Sequence, residues 1–287
     1  MSGVRVVTDS ACDLTVEVAA ERGITVVPLT IRFGDEELLD RRDLSPDEFW
    51  RRCKGTATLP ETAAPSPGSF HAAFEQARDE GADGVLCITL SSGVSATYQS
   101  ALAGAEAMGE GFPISVVDSR TLTMGQGLLV LAASDAAAGG ASLTELVAQV
   151  EDQIPRMRVY GALDTLEHLQ KGGRVGSTSA LIGSLLSIKP VLAVKDGIVA
   201  EESKQRTRGR SLDYLANKTK ADAPLEWLAV CDGAAPDLDA MLGRLAGVEV
   251  EHDLVVTTLG PVVGTHAGPG TVGVCYMLAA GPRGSDG

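Results

Sequence analysis

The chain has 287 residues, of which 44% are hydrophobic and 22% charged, the composition of a globular protein with a substantial core. Acidic residues outnumber basic residues by 38 to 24, and the formal net charge of −14 disfavours nucleic acids and anionic membranes as partners, because both require a basic face. No apolar stretch has the character of a signal sequence or a membrane-spanning helix, which predicts a cytoplasmic protein without stable membrane insertion.

The cysteines are scattered along the chain and form neither a CxxC pair nor a cluster with zinc-type spacing. We therefore predict no metal site, and such a set is typical of proteins in a reducing compartment. The five residues are Cys12, Cys53, Cys87, Cys231 and Cys275.

Strands and helices alternate through the first half of the chain. Runs rich in β-branched residues predict buried strands at residues 4–7, 24–31, 85–90 and 114–117. Helices are predicted between and after them, for example from Ser45-Pro46, where a capping hydroxyl precedes a proline at the first helical position. Further helices are predicted near residues 122–138 and 142–154. This alternation predicts a mainly parallel sheet with helices on both faces.

The pattern changes after residue 154. Residues 191–194 and 198–202 flank Lys195-Asp196-Gly197, which is typical of the turn of a β-hairpin. Strands at 158–163, 228–231 and 248–256 surround helices at 211–220 and 236–245. A hairpin followed by alternating elements predicts a second α/β domain with a mixed sheet. We therefore divide the chain into an N-terminal domain of residues 1–155 and a C-terminal domain of residues 156–287.

The hydroxyl-rich segment 91–98 directly follows a predicted strand. In an open parallel sheet, ligands bind beyond the carboxyl ends of the strands. A turn that opens a helix offers an anion N–H groups, hydroxyls and a favourable dipole. The alternative is that Ser92 or Ser95 only caps the helix, and the segment by itself leaves both interpretations open.

Three further segments combine a stiff or glycine-rich backbone with a notable polar side chain. Thr62 lies in a proline-rich loop, Arg174 in the basic turn 171–176, and His266 in a stretch dense in glycine and proline, where a backbone can approach a ligand closely. Each is also compatible with an ordinary structural or surface role. Residues 204–210 carry four basic side chains, which indicates either a solvated helix start or a docking face.

Motifs of catalysis are missing: the sequence contains no GxSxG, HExxH, P-loop or GxGxxG pattern. Asp9 follows the first predicted strand and could act as a general base. We favour the alternative that it accepts hydrogen bonds from loop N–H groups, and we predict no catalytic residue.

In their order along the chain, these segments resemble the DegV family. The resemblance covers nearly the whole chain, and although each segment is weakly specific, the ordered combination is highly specific. The matching segments are residues 8–10, 62–66, 91–98, 117–119, 169–174 and 188–191 and the glycine-rich segment around His266.

The resemblance implies a two-domain α/β fold with a long-chain fatty acid buried between the domains. It also implies a role as the fatty-acid-binding subunit of bacterial fatty acid kinase. Such a subunit presents the acyl carboxylate to a separate catalytic subunit, where an acyl phosphate forms, and is not itself an enzyme. The fatty acid is then the ligand, and no cofactor is implied.

Site residues are carried over by motif. The resemblance implies that Thr62 and Ser95 hold the carboxylate and that His266 and Arg174 belong to the network behind it. Arg206 and Arg208 are implied in docking to the kinase. The remaining implied ligand-binding residues are Ser10, Ser92, Gly93 and Thr97.

The physics of a fatty acid agrees with such a site. Burying about 14 methylenes at ~0.8 kcal/mol each contributes roughly 11 kcal/mol before the entropy of binding is subtracted. Residues 122–138 and 181–186 could supply aliphatic walls. A buried carboxylate needs hydrogen-bond donors, which hydroxyls supply without adding charge, and we expect a histidine behind them to adjust its protonation near neutral pH.

Two positions depart from the family pattern. Ala63-Ala64 stand where Ser-Gln is frequent, which could loosen contacts to the head group. Ala96 stands where glycine is common, and its methyl group is harmless if φ is negative there. Two other functions stay open from the sequence: an autonomous hydrolase or transferase that uses Asp9 and the hydroxyl loop, and a carrier of another small anionic metabolite.

Overall fold

The computed structural model describes residues 3–55, 59–174 and 188–281. The strands are β1 Val4–Asp9, β2 Thr25–Val27, β3 Thr30–Phe33, β4 Glu36–Leu39, β5 Glu61–Ala63, β6 Gly84–Thr89, β7 Ile114–Asp118, β8 Met157–Ala162, β9 Lys189–Lys195, β10 Ile198–Gln205, β11 Leu225–Gly233, β12 Val255–Thr258 and β13 Thr271–Leu278. The α-helices are α1 Val16–Glu21, α2 Pro46–Gly55, α3 Pro67–Asp79, α4 Thr97–Ala107, α5 Met124–Ala138, α6 Leu143–Gln153, α7 Glu167–Lys171, α8 Arg208–Ala221, α9 Leu238–Leu245 and α10 Pro261–Ala267.

Three sheets organise these elements. The N-terminal part holds a parallel sheet of order β2-β1-β6-β7, and the C-terminal part holds a six-stranded mixed sheet of order β10-β9-β8-β13-β11-β12. A small antiparallel sheet of order β4-β3-β5 is inserted in the N-terminal part. The predicted fold class, a parallel sheet followed by a mixed sheet, is confirmed, whereas the domain boundary near residue 155 stays a prediction.

The two main sheets are layers of one stack. Helices α3 and α4 cover one face of the parallel sheet, because Phe70, Phe74 and Ala101 pack with the outward side chains of β1 and β6. Helix α5 lies between the two main sheets and is buried at every residue from Met124 to Ser134. Helices α8 and α9 cover the far face of the mixed sheet. Helices thus lie on both faces of the parallel sheet, as predicted.

Local sequence explains many helix ends. Thr15 caps α1 by accepting a hydrogen bond from Val18 N, and Ser66 caps α3 in the same way, with Pro67 at the first helical position. Ser142 and Glu145 form a capping box at α6. These caps are the ones that sequence reasoning can find, because the hydroxyl directly precedes the helix.

Two strand predictions were wrong in extent. Residues 24–31 form two strands in different sheets, because Pro28 cannot donate a ladder hydrogen bond and separates β2 from β3. Of residues 248–256, only the last two belong to a strand, β12. Strand β13 lies in the middle of the mixed sheet and was not predicted, and helix α10 was mistaken for a glycine-rich loop. The predicted aliphatic wall at residues 181–186 lies outside the described residues.

Candidate functional site

An apolar cavity lies between the inner face of the mixed sheet and the N-terminal part of the chain. Its volume is about 130 Å³, far more than a packing defect the size of one water. One wall comes from β8, β9 and β11, the opposite wall from the ends of β6 and β7, and α10 closes one end. Its apolar lining includes Leu29, Leu90, Val94, Leu122, Val159, Leu163, Leu169, Leu192, Val194, Val199, Leu259, Val262 and Val263.

The polar end of this cavity is built around two side chains from distant parts of the chain. The Thr62 hydroxyl lies 2.9 Å from Nε2 of His266. Thr62 is positioned by β5, where it pairs with Ile31 of β3, and His266 lies in the last turn of α10. Gly172 allows the imidazole to approach the chain closely, since a Cβ atom there would overlap Nδ1 of His266.

His266 is neutral at physiological pH. Burial, together with the positive charge of Arg174 and the neighbouring His168, lowers its pKa to about 4. The expectation that this histidine adjusts its protonation near neutral pH is therefore wrong, because a largely buried imidazole without a carboxylate partner does not hold a proton there.

Arg174 stands at the mouth of the polar end. Its side chain is exposed, lines the cavity and donates a hydrogen bond from Nη1 to the carbonyl oxygen of Gly172 at 2.8 Å. A second cleft of about 300 Å³ lies on the outer side, and it shares Thr62, Arg174 and His266 with the cavity. Exposed Glu61 and Lys171 also line this cleft. The polar end of the cavity thus adjoins the protein surface.

Segment 91–98 is divided between two tasks. Ser95 lines the cavity, its hydroxyl lies 2.8 Å from that of buried Thr97, and it accepts a hydrogen bond from Thr97 N. Thr97 is not part of the cavity wall and so stands behind Ser95.

The two departures from the family pattern have different consequences. Ala96 has a φ of −79°, so its methyl group causes no strain where the family often has glycine. Ala64, the other departure, lines the cavity and offers it no donor.

The start of the segment holds the β9–β10 hairpin rather than the cavity. Ser91 donates a hydrogen bond to the carbonyl oxygen of Gly197 at 2.6 Å, and a Cβ atom at Gly93 would lie 2.7 Å from the same oxygen. Ser92 is exposed, and its hydroxyl donates to Asp118 at 2.5 Å. Ser10 does not line the cavity but stands directly behind its wall: its hydroxyl accepts a hydrogen bond at 3.0 Å from the backbone N–H of Leu29, which does line it.

The two arginines implied in docking have different environments. Arg206 is exposed and makes no ion pair within the described part of the chain. Arg208 donates from Nε and Nη2 to the two carboxylate oxygens of Asp237 at 2.8 and 2.9 Å, and from Nη1 to the carbonyl oxygen of Ala162. Arg208 is therefore already held by its own domain.

Asp9 stabilises the surrounding backbone by accepting hydrogen bonds. Its carboxylate accepts hydrogen bonds from Ala11 N at 3.0 Å, Leu90 N at 2.8 Å and Gln126 Nε2 at 3.0 Å. Burial raises its pKa to about 7, against the opposing effect of these hydrogen bonds. Asp9 does not line the cavity, and the role that we favoured from the sequence, acceptor for loop N–H groups, agrees with these contacts.

A buried ion pair next to the cavity was not foreseen. Arg41 Nη2 donates to Asp13 Oδ1 at 3.1 Å, and Gly260 N donates to the same oxygen at 2.9 Å. Thr123, which lines the cavity, donates its hydroxyl to Asp13 Oδ2 at 2.5 Å. Burial raises the pKa of Asp13, and Arg41 opposes that shift. The pair ties the N-terminal part to the chain that leads into α10.

Thr123 has a strained backbone at the cavity wall. Its φ of 50° and ψ of −142° are unusual for a β-branched residue. Such strain persists only where the surroundings impose it, and it occurs preferentially at ligand sites. Here the hydrogen bond to Asp13 holds the side chain in place. Glycine or asparagine is the usual residue at a positive φ, so the sequence contained no indication of this feature.

Two further findings concern the described residues as a set. No three histidine, cysteine or acidic side chains among them lie close enough together to share a metal ion. None of their helices is both long and apolar enough to cross a membrane.

Comparison with known proteins points to one family. Residues 3–279 match the sequence profile described as "Uncharacterised protein, DegV family". A DegV domain-containing protein of Listeria monocytogenes is 32% identical over 281 residues, which cover 96% of this chain and 98% of that protein.

Solved structures agree with the sequence relatives. A DegV family protein from Thermus thermophilus, described by its fatty acid binding, has a TM-score of 0.88 and 29% identity, covering 96% of this chain and 99% of that chain. A stearic acid-binding protein from Eubacterium ventriosum has a TM-score of 0.86 and 25% identity, covering 96% of this chain and 98% of that chain.

Proposed function

This chain belongs to the DegV family, and we propose that it binds a long-chain fatty acid in the cavity between its two main sheets. The observation that carries the proposal is the lining of that cavity, which is mostly aliphatic and to which Thr62, Ser95, Arg174 and His266 add polar groups suited to a carboxylate. The fatty acid binding of structural relatives supports it.

The apolar part of the cavity suits an acyl tail. Its aliphatic side chains offer no hydrogen bond, so a polar metabolite would lose its water without compensation there. An acyl chain instead gains about 0.8 kcal/mol for every methylene that it buries. We therefore prefer a fatty acid to a small polar anion as the ligand.

The polar end suits a carboxylate. A neutral imidazole carries one proton, and Nδ1 of His266 has no partner among the described residues. We assign the proton to Nε2, because a buried N–H without an acceptor costs more than a buried lone pair. Nε2 then donates to the hydroxyl of Thr62, which leaves that hydroxyl's own proton free for the ligand. Ser95 adds a second donor, and Arg174 adds positive charge at the mouth.

We further propose that the bound carboxylate is presented to a separate kinase and that this chain performs no chemistry itself. The outer cleft supports this, because it shares Thr62, Arg174 and His266 with the cavity and so brings the carboxylate within reach of a partner. The phosphoryl donor and the catalytic groups belong to the kinase, which we expect in the cytoplasm together with this protein. Exposed Arg206 is our preferred docking contact, since Arg208 is engaged with Asp237.

The ligand is tested by native mass spectrometry of protein purified from a bacterial host, followed by binding of C14–C18 acids to delipidated protein. We expect a co-purified acid of that size and one binding site. An empty protein that neither retains nor rebinds such acids, or one that hydrolyses an ester, would exclude the proposal.

The docking contact is tested separately. We expect Arg206→Glu to leave fatty acid binding unchanged and to reduce turnover by a bacterial fatty acid kinase, whereas the control Lys220→Glu, at the exposed far end of α8, changes neither. Normal turnover with Arg206→Glu would remove this residue from the docking surface. Arg208→Glu is less informative because it also breaks the pair with Asp237.

A further inference from the structure

One edge of the mixed sheet is open. Strand β12 pairs in parallel with β11 along Val255–Thr258, and within the described residues no strand pairs with its other side. Proteins usually protect such an edge with lysine, proline or a bulge. The sequence of β12, Val-Val-Thr-Thr, contains neither residue, and its register with β11 is regular. The free N–H and C=O groups of this edge can therefore accept a further strand.

The surface beside this edge is apolar. Leu254 and Val256 are 40% and 45% exposed, and their spacing of two places them on the same side of the strand. Val16, at the start of α1, is 57% exposed but belongs to the other face: it follows Asp13, whose carbonyl oxygen accepts a hydrogen bond from the side chain of Thr257, which alternates with Val256. Large apolar side chains this exposed are few elsewhere among the described residues, and two of them lie side by side here.

A groove runs between β12, α1 and α5, and we call it the edge groove. Its volume is about 360 Å³, and its lining includes the apolar side chains of Val18, Leu131 and Trp227. The ring of His252 stacks on Trp227 with centroids 3.8 Å apart. The edge groove shares no lining residue with the fatty acid cavity, so it is a separate feature of the molecule.

The charge around the edge groove is negative. Glu21 and Asp253 line it, both are exposed, and neither forms an ion pair within the part of the chain that the structure describes. Asp135 also lines the groove but is paired with Arg22, the one basic side chain other than His252 among the lining residues. A partner with positive charge is therefore attracted to this surface, and one with negative charge is repelled.

We propose that the β12 edge and the edge groove bind an extended, basic segment of a partner protein. The segment adds a strand beside β12, its alternate apolar side chains contact Leu254 and Val256 on one face, and its lysine or arginine side chains on the other face pair with Glu21 and Asp253. Addition of a strand to an open sheet edge is a common mode of peptide recognition, in which the backbone supplies affinity and the side chains supply specificity. This function goes beyond fatty acid binding and does not depend on it.

A second copy of this chain fits the edge less well. Each copy displays Glu21 and Asp253 beside this edge, and neither forms an ion pair within the described residues. Each copy also carries a formal charge of −14, so the approach is unfavourable. The unpaired carboxylates at the rim thus select a basic partner.

The test uses a fluorescein-labelled peptide of sequence KVKVKVK and measures its fluorescence anisotropy with the full chain. We expect saturable binding, accompanied by slower hydrogen exchange of residues 253–259. Two comparison peptides, EVEVEVE with reversed charge and KVKPKVK with a proline that removes a strand donor, should each bind at least tenfold more weakly.

Variants of the protein locate the binding. Val256→Lys and Asp253→Lys should each weaken KVKVKVK binding at least tenfold, whereas the control Ile198→Lys, at a 39% exposed position on the opposite edge strand β10, should not. Three results would overturn the proposal: no binding of KVKVKVK, equal binding of KVKPKVK, or equal binding to Val256→Lys. Sedimentation showing a dimer that Val256→Lys dissolves would overturn it in favour of self-association.

Discussion

The Asp13 carboxylate and the His266 imidazole both lie where the N-terminal and C-terminal parts meet, but they differ in how fully their polar atoms are paired. The carboxylate of Asp13 accepts hydrogen bonds from Arg41, Thr123 and Gly260. His266, in contrast, has one contact, to Thr62, and its Nδ1 has no partner among the described residues.

This difference separates a structural cluster from a ligand site. The Asp13 carboxylate has both oxygens paired and offers nothing to a ligand. Removing it takes the hydrogen-bonded carboxylate from a buried guanidinium whose Nε already lacks a partner among the described residues. The Thr62–His266 pair contributes less to stability and keeps a hydrogen-bond donor available for a ligand. We therefore expect changes at Asp13 to act on folding and changes around His266 to act on binding.

The largest effect should follow from Asp13→Ala. This change leaves the Arg41 guanidinium buried without its carboxylate, which typically costs 3–5 kcal/mol of unfolding free energy. Urea denaturation measures it, with Asp43→Ala, an exposed aspartate in the same region, as the control. A loss below about 1 kcal/mol for Asp13→Ala would show that the cluster is not structural.

The double variant Thr62→Ala with Ser95→Ala should lower fatty acid affinity by about 2–3 kcal/mol, because a buried carboxylate loses both hydroxyl donors. Its unfolding free energy should change by less than about 1 kcal/mol per site. Isothermal titration with a C16 acid measures the first quantity and urea denaturation the second. Ser92→Ala, in the same segment but outside the cavity wall, is the matched control, and unchanged affinity in the double variant would reject the head-group site.

The pH dependence of stability should change in His266→Gln. The pKa of His266 is about 4 in the folded protein and about 6.5 when unfolded, so the unfolded state takes up the proton first as pH falls. The contribution of this residue is fully present above pH 6.5 and is lost as pH falls towards 4. Between pH 7 and 4.5 the wild type should lose about 2 kcal/mol relative to His266→Gln, allowing for partial exposure. Parallel stability curves would show that His266 is not held neutral by its burial.

The smallest effect should come from Gly172→Ala. The added methyl group overlaps Nδ1 of His266 and moves the imidazole from Thr62, which should weaken fatty acid binding about tenfold, or about 1.4 kcal/mol. Gly209→Ala is the control, since nothing lies within 4 Å of a Cβ atom there. Equal affinities of the two variants would show that the position of the imidazole does not matter for binding.

Sequence reasoning succeeded where the determinants are local. The buried run of β6, the proline at the start of α2 and the hairpin turn at Asp196-Gly197 each act within a few residues, so periodicity and turn chemistry reveal them. Strand β13 was missed although all but the last of its residues are buried, because its glycine and its flanking glycines resemble a loop when neighbouring strands are not known.

Only part of the candidate site could be predicted from the sequence, because the contacts that build it join residues far apart in the chain. Thr62 and His266 are 204 positions apart, and nothing in their local sequences indicates that they meet. Their pairing was expected only through the family resemblance. The role of Asp13 escaped both routes, because its partners come from three separate segments and none of them forms a motif. The strain at Thr123 was equally invisible, since it arises from those contacts.

The position of α5 between the two main sheets has a consequence for synthesis of the protein. This helix is buried all round, so it has no face suited to water before both sheets exist. Strand β13, at the centre of the mixed sheet, leaves the ribosome about 130 residues after α5 ends. At a synthesis rate of roughly 5–20 residues per second, α5 exists for on the order of ten seconds before the mixed sheet can cover its second face. Until β13 is complete, the apolar surface of α5 in the nascent chain is therefore only partly covered.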